Sequence, residues 1–245
     1  MSKKTYNLDD ANYDLKKVDF NVDDILGEHI RDPFPNKSFF WLIVGKAGSG
    51  KTSLMINTLN SKGSNRVYRK VFDKITLVMP KNSRNSLKDN PLEDLPDDQL
   101  YEEMSQSVID KVKSIREDFD EEDKKKKKKP RRQLLILDDI TAYLKDDPKP
   151  LIELATNRRH LKLSIILLVQ YVRAVPFPVR SQVTNVTFFK PSNNLDLEII
   201  QEEFVNLPKK EFKILSQFIF EDAHDFLMID KNSETYYKNL CKINL

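Results

Sequence analysis

The sequence predicts an α/β fold, a three-layer αβα arrangement with a mainly parallel central sheet and a small C-terminal helical and hairpin extension. Three observations predict it. Apolar runs of strand length recur without polar alternation, as in strands buried on both faces. Helical patterns separate them, which is the alternation of a parallel sheet covered on two sides. Three of only five glycines, Gly45, Gly48 and Gly50, follow the first run, where a sparing chain would place them for close backbone approach.

The 245 residues suit one substantial α/β domain. A charged share of 32% against an apolar share of 39% implies a core under a heavily charged surface, and a net charge of +3 says little about partners. The single cysteine, Cys241, allows no intrachain disulfide. No apolar run approaches the roughly 20 residues of a membrane-spanning helix, and no secretory signal follows Met1, so the expected location is the cell interior.

Residues 1–36 read as an N-terminal arm with apolar touches at Val18, Phe20, Val22, Ile25 and Leu26, closed by Pro33 and Pro35. Residues 37–190 form the expected core. Its strands are Phe39 to Val44, Ile75 to Met79, Leu134 to Leu137, Ile165 to Val169 and, more weakly, Val183 to Phe189. Helices are expected at Thr52 to Leu59, at Leu151 to Arg159, and on the spacing Tyr101, Met104, Val108, Val112, Ile115, Phe119. The acidic block Glu117 to Asp123 and the basic run Lys124 to Arg132 predict a solvated, flexible loop over 117–132. Residues 191–245 supply two helices and a closing hairpin packed on the core.

Gly45-Lys46-Ala47-Gly48-Ser49-Gly50-Lys51-Thr52 fits the pattern of Gly, four residues, Gly-Lys-Ser/Thr. The glycines let consecutive backbone N–H groups turn inward around a phosphate, and the following helix adds the positive end of its dipole. Lys51 reaches the β- and γ-phosphates, the Thr52 hydroxyl is a magnesium ligand, and the binding segment runs on to Ser53. The motif follows a buried strand and precedes a helix, the context it requires. It predicts a P-loop NTPase of the RecA/ASCE-like kind, with ATP and Mg2+ as cofactors.

Leu134-Leu135-Ile136-Leu137-Asp138-Asp139 ends an apolar strand in two carboxylates. Asp138 is the expected metal residue and Asp139 the candidate to polarise an attacking water. Ile165 to Val169 ends in Gln170, at the strand edge where open parallel sheets bind ligands. Gln170 therefore touches the γ-phosphate or the water, unless it only caps its strand. Arg158 and Arg159 end the preceding helix. Spacing alone leaves them balanced between complementing the helix dipole and acting as an arginine finger on a neighbouring subunit's γ-phosphate.

The order of these features, with Leu154-Ala155-Thr156-Asn157-Arg158-Arg159-His160 before Ser164-Ile165-Ile166-Leu167-Leu168-Val169-Gln170, resembles the FtsK/HerA superfamily. More narrowly it is similar to the genome-packaging ATPase branch of poxvirus-like large DNA viruses and their virophages. The resemblance, over about Phe39 to Pro191, implies an αβα core and a homo-oligomeric ring, pentamer or hexamer. It also implies ATP-driven movement of double-stranded DNA into a preformed capsid, with capsid or portal-vertex proteins as partners. Counting back from Gln170, Arg159 falls where FtsK-like proteins place their finger. Many members have Glu where this chain has Asp139, which weakens the carry-over of the water-activating role. The expected setting is a host cell's cytoplasmic virus factory or nucleus, or the virion.

The Lys124 to Arg132 run suits salt-dependent contact with nucleic-acid phosphates, nuclear import, or a solvated loop neutralised by the acidic block. A GTPase would need a late Asn-Lys-x-Asp motif, which is absent from the sequence. A nucleoside or nucleotide kinase is the alternative enzyme. A nucleotide-switched assembly protein is the alternative without a motor.

Overall fold

The computed structural model describes residues 25–85, 92, 94–126, 131–205 and 207–244. Val18, Phe20 and Val22 of the expected arm, and Lys127 to Pro130 of the basic run, lie outside the described residues.

The strands are β1 Phe40–Val44, β2 Lys74–Val78, β3 Leu100–Tyr101, β4 Gln133–Asp138, β5 Leu163–Val169, β6 Asn185–Phe189, β7 Phe226–Asp230, β8 Thr235–Lys238 and β9 Cys241–Lys242. The helices are α1 Lys51–Asn60, α2 Lys81–Asn85, α3 Gln106–Lys126, α4 Thr141–Asp146, α5 Lys149–Asn157, α6 Phe177–Arg180, α7 Asn194–Phe204 and α8 Lys209–Ile219. All nine strands join one sheet in the order β3-β2-β4-β5-β1-β6-β7-β8-β9. The first six are parallel, and β7 to β9 continue antiparallel. The hairpin expected at the C-terminus is thus part of the main sheet.

Along β1 the side chains alternate between two cores. Phe40, Leu42 and Val44 join the core under α3, α5, α7 and α8, whereas Trp41 and Ile43 join the one under α1. Among the described residues that second layer has a single long helix and is completed by loop aromatics. Phe34, Phe39, Trp41, Tyr68 and Phe72 form successive ring contacts 5.3–6.5 Å apart. Leu26 and Ile30 are buried in the same layer, so the described end of the arm packs on the core. The Trp41 Nε1–H donates to Thr187 Oγ1 at 2.9 Å, satisfying the one polar atom that a fully buried indole carries.

Two expectations are corrected. Tyr101 lies in β3 and Met104 precedes α3, so the apolar spacing ran past a strand into the helix. The acidic block is not a loop: Glu117 to Asp123 continue α3, which runs to Lys126. Glu, Lys and Arg are good helix formers, and the block has its own cations. The buried Arg116 pairs with Asp120 at 2.5 Å and donates to the Arg131 carbonyl at 2.8 Å. Arg131 in turn holds Asp123 and Glu122 and covers the Phe119 ring at 4.1 Å. Arg116→Ala should lower the unfolding free energy in urea by about 1–2 kcal/mol, because it removes a buried guanidinium and leaves the Arg131 carbonyl without its donor. Lys125→Ala, which removes an exposed pair with Glu121, should change it by less than about 0.5 kcal/mol.

Candidate active site

Topology brings the motifs together at the carboxyl ends of three neighbouring strands. β5 lies between β1 and β4, with Val44 opposite Val169 and Asp138 opposite Leu168. The Gly45 N–H donates to the Val169 carbonyl at 3.1 Å, fixing the root of the glycine loop beside Gln170.

Two glycines in the loop are sterically required. A Cβ on Gly45 would sit 2.5 Å from Ser49 Oγ and 2.7 Å from Phe189 Cβ, and Gly50 has φ 107°, a value that L side chains rarely adopt. Gly50 caps α1, and its carbonyl accepts from the Leu54 N–H at 2.8 Å. The free N–H groups at the start of α1 and the turn of Gly48 to Gly50 therefore form a concave donor surface suited to a phosphate. Ser49 Oγ is buried against Gly45 and has no hydrogen-bond partner among the described residues.

Ala47, Gly48, Lys51, Thr52, Asp138, Asp139 and Gln170 line one cleft of about 220 Å³. The Lys51 ammonium donates to the Lys46 carbonyl at 3.1 Å, curling over the loop. The Thr52 hydroxyl donates to Asp138 Oδ2 at 3.5 Å, the outer limit of a hydrogen bond. Burial pushes the Asp138 carboxyl up to about 6; Lys51 pulls it back down and Asp139 pushes it further up. Burial likewise lowers Lys51, against the pull of Asp138 and Asp139. Asp139 is exposed and holds a left-handed backbone, φ 59°, which Asp tolerates better than most residues. That turn lets consecutive aspartates face the same cleft.

Two hard oxygen donors at this spacing suit a hard divalent cation that takes its other ligands from water and substrate. Among the described residues no group of three or more His, Cys, Asp or Glu could hold a metal, so a closed protein cage of the zinc type does not fit.

Arg158 and Arg159 are elsewhere. They line a cleft with Phe39, Thr184 and Asp230, at the amino ends of β1 and β6 and so at the opposite edge of the sheet from Lys51. Neither belongs to this chain's own cleft. Sequence reasoning missed Met79 and Ser83, which line the cleft after β2, although a position just past a parallel strand is the signal that finds ligand contacts. It also missed His224, whose Nδ1 lies 3.1 Å from the Ser49 carbonyl; no motif surrounds it. Among the described residues no helix is long and apolar enough to cross a membrane.

The family model for the poxvirus A32 protein matches residues 28–225. Among solved structures, the chain is similar to the genome packaging NTPase B204 from Sulfolobus turreted icosahedral virus 2 in complex with AMP. The TM-score is 0.56 at 20% identity, over 82% of this chain and 96% of that one. EssC ATPases 2 and 3 from Geobacillus thermodenitrificans give 0.55 at 14% identity, over 83% of this chain and 39% of that one. The cytoplasmic domain of the Thermomonospora curvata type VII secretion ATPase EccC gives 0.53 at 14% identity, over 85% and 24%. At these identities the likeness is one of fold. No curated protein matches.

Proposed function

Since the chain belongs to the poxvirus A32 protein family, and its glycine loop, paired carboxylates and glutamine share one cleft, we propose that it is an ATP-hydrolysing double-stranded DNA translocase that packages a viral genome into a preformed capsid. The observation that carries the catalytic part is the Thr52–Asp138 contact of 3.5 Å beside Lys51. It joins the two halves of a phosphoryl-transfer site, one on α1 and one at the end of β4. The B204 structure with AMP supports nucleotide binding at such a fold.

In this reading the loop from Gly45 to Ser53 holds the phosphates, and Lys51 neutralises charge on the β- and γ-oxygens. Thr52 and Asp138 would hold Mg2+, which would supply positive charge to offset that on the transferring phosphoryl group. Asp139 orients and deprotonates the attacking water. Gln170, at the end of β5, contacts the γ-phosphate end. Arg159 sits at the far edge of the sheet and so serves a neighbouring copy's site, which calls for a head-to-tail ring. The setting is the interior of an infected cell, with capsid or portal-vertex proteins as docking partners.

ATP turnover measured with and without double-stranded DNA, with Lys51→Ala as blank, tests this. DNA should raise turnover several-fold in the wild type and not in the blank. Arg159→Ala should be inactive alone and partly restored by mixing with Lys51→Ala subunits, whose intact arginines complete the neighbours' sites. Turnover indifferent to DNA but dependent on an added nucleoside or nucleotide would make the protein a kinase instead.

A further inference from the structure

On the other side of Gly48 to Thr52 a second cleft opens, about 540 Å³ in volume. Its further walls are Ser53, Leu54 and Asn57 of α1, Phe189 at the end of β6, and His224 and Phe226 where β7 begins. The geometry points to this cleft as the seat of the nucleoside half of the substrate, with His224 holding the ribose and Asn57 selecting adenine. The assignment rests on the phosphate-loop reading above and extends it to residues that no motif marks.

Connectivity is the first support. The γ end of a bound triphosphate faces Asp138 and Gln170, so the α-phosphate and nucleoside leave on the opposite side of the loop, past Ser53. Chemistry is the second. Phe226 and Leu54 are half-buried and give apolar surface for a flat base, with the buried Phe189 ring packed behind Phe226 at 5.2 Å between centroids, tilted by 51°. Polar groups edge that surface. Asn57 is exposed, and its amide makes no hydrogen bond among the described residues.

His224 is set by its neighbours. The Ser49 carbonyl can only accept, so Nδ1 at 3.1 Å must carry the proton. In the neutral ring Nε2 is then left as an acceptor, suited to a ribose hydroxyl. The turn that presents His224 is itself braced. The Asp225 carboxylate accepts from the Asp222 N–H at 2.7 Å and from the Asn239 amide at 2.5 Å.

The preference for adenine follows from the amide. One edge of Asn57 offers one donor and one acceptor, matching N7 and the N6 amino group of adenine. Guanine presents two acceptors, O6 and N7, at the same edge and would need two donors.

Equilibrium binding of ATP, GTP and inorganic tripolyphosphate to the full chain, as wild type, Asn57→Ala, His224→Ala and Lys51→Ala, tests the assignment. Both altered side chains are exposed, so the variants should keep the wild-type thermal transition. Asn57→Ala and His224→Ala should each weaken ATP about tenfold, equivalent to about 1.4 kcal/mol, and tripolyphosphate by less than about twofold. Asn57→Ala should also bring ATP and GTP to parity. ATP affinity unchanged in both variants overturns the proposal. So does an equal loss for ATP and tripolyphosphate, which would make His224 and Asn57 braces of the loop. Lys51→Ala binding tripolyphosphate as tightly as the wild type would instead sink the phosphate-loop reading.

Discussion

Lys51→Ala should lower ATP turnover at least about a thousandfold while moving the unfolding free energy by less than about 1 kcal/mol. The ammonium lies in the cleft with both aspartates, close enough for each to raise its proton affinity against the effect of burial. Its removal takes away fixed positive charge where the transition state spreads negative charge over phosphoryl oxygens. The folded protein loses little. Among the described residues Lys51 makes one hydrogen bond, to the Lys46 carbonyl, and relief of its desolvation offsets that loss. Lys51→Arg should fail almost as badly, since a planar fork cannot replace a compact ammonium curled over the loop. Phosphate release and urea denaturation on the same preparations give both numbers. Less than a tenfold loss of turnover, with folding intact, would remove Lys51 from the reaction.

Asp138→Asn should abolish turnover to a similar extent and, unlike the lysine change, make the metal-free protein more stable. The sign follows from the carboxyl's position at about 6 in the folded chain against 3.8 ordinarily. Between those values the folded state binds more protons than the unfolded, so stability falls as pH rises through this window and levels off above it. Asparagine has no proton to lose. In chelator at pH 8 the variant should therefore be more stable, by on the order of 1–3 kcal/mol, and the fall between pH 4 and 6 should disappear. Equal stability of the two proteins at pH 8 would mean that the carboxylate is already paired without metal. Stability yielded at this position for function is the usual mark of a site built around a ligand that neutralises it.

The core strands were legible because both of their faces are covered. Phe40 to Val44 and Leu163 to Val169 are buried along their whole length, and continuous burial demands continuous apolar sequence. The phosphate loop was equally legible, because crowding at Gly45 and a left-handed backbone at Gly50 restrict the residue type. Less was visible where tertiary contact decides. β3 and β9 are two residues each, too short for any period to register. The Glu117 to Asp123 helix was misread because its solubility as a loop depended on partners counted in sequence, whereas Arg116 and Arg131 neutralise it in space. His224 meets Ser49 across 175 positions, a distance over which local pattern carries no information.

Both margins of the sheet end in these two-residue strands, which has a consequence for how copies associate. A rim so short offers a stranger almost no ladder of free amides and carbonyls to extend. In the ring proposed above, such edges would keep neighbouring copies from fusing into a continuous ribbon and would leave contact between them to side chains on helices and loops. Such contacts would loosen and re-form without unzipping the main chain, as the proposed translocating ring would require.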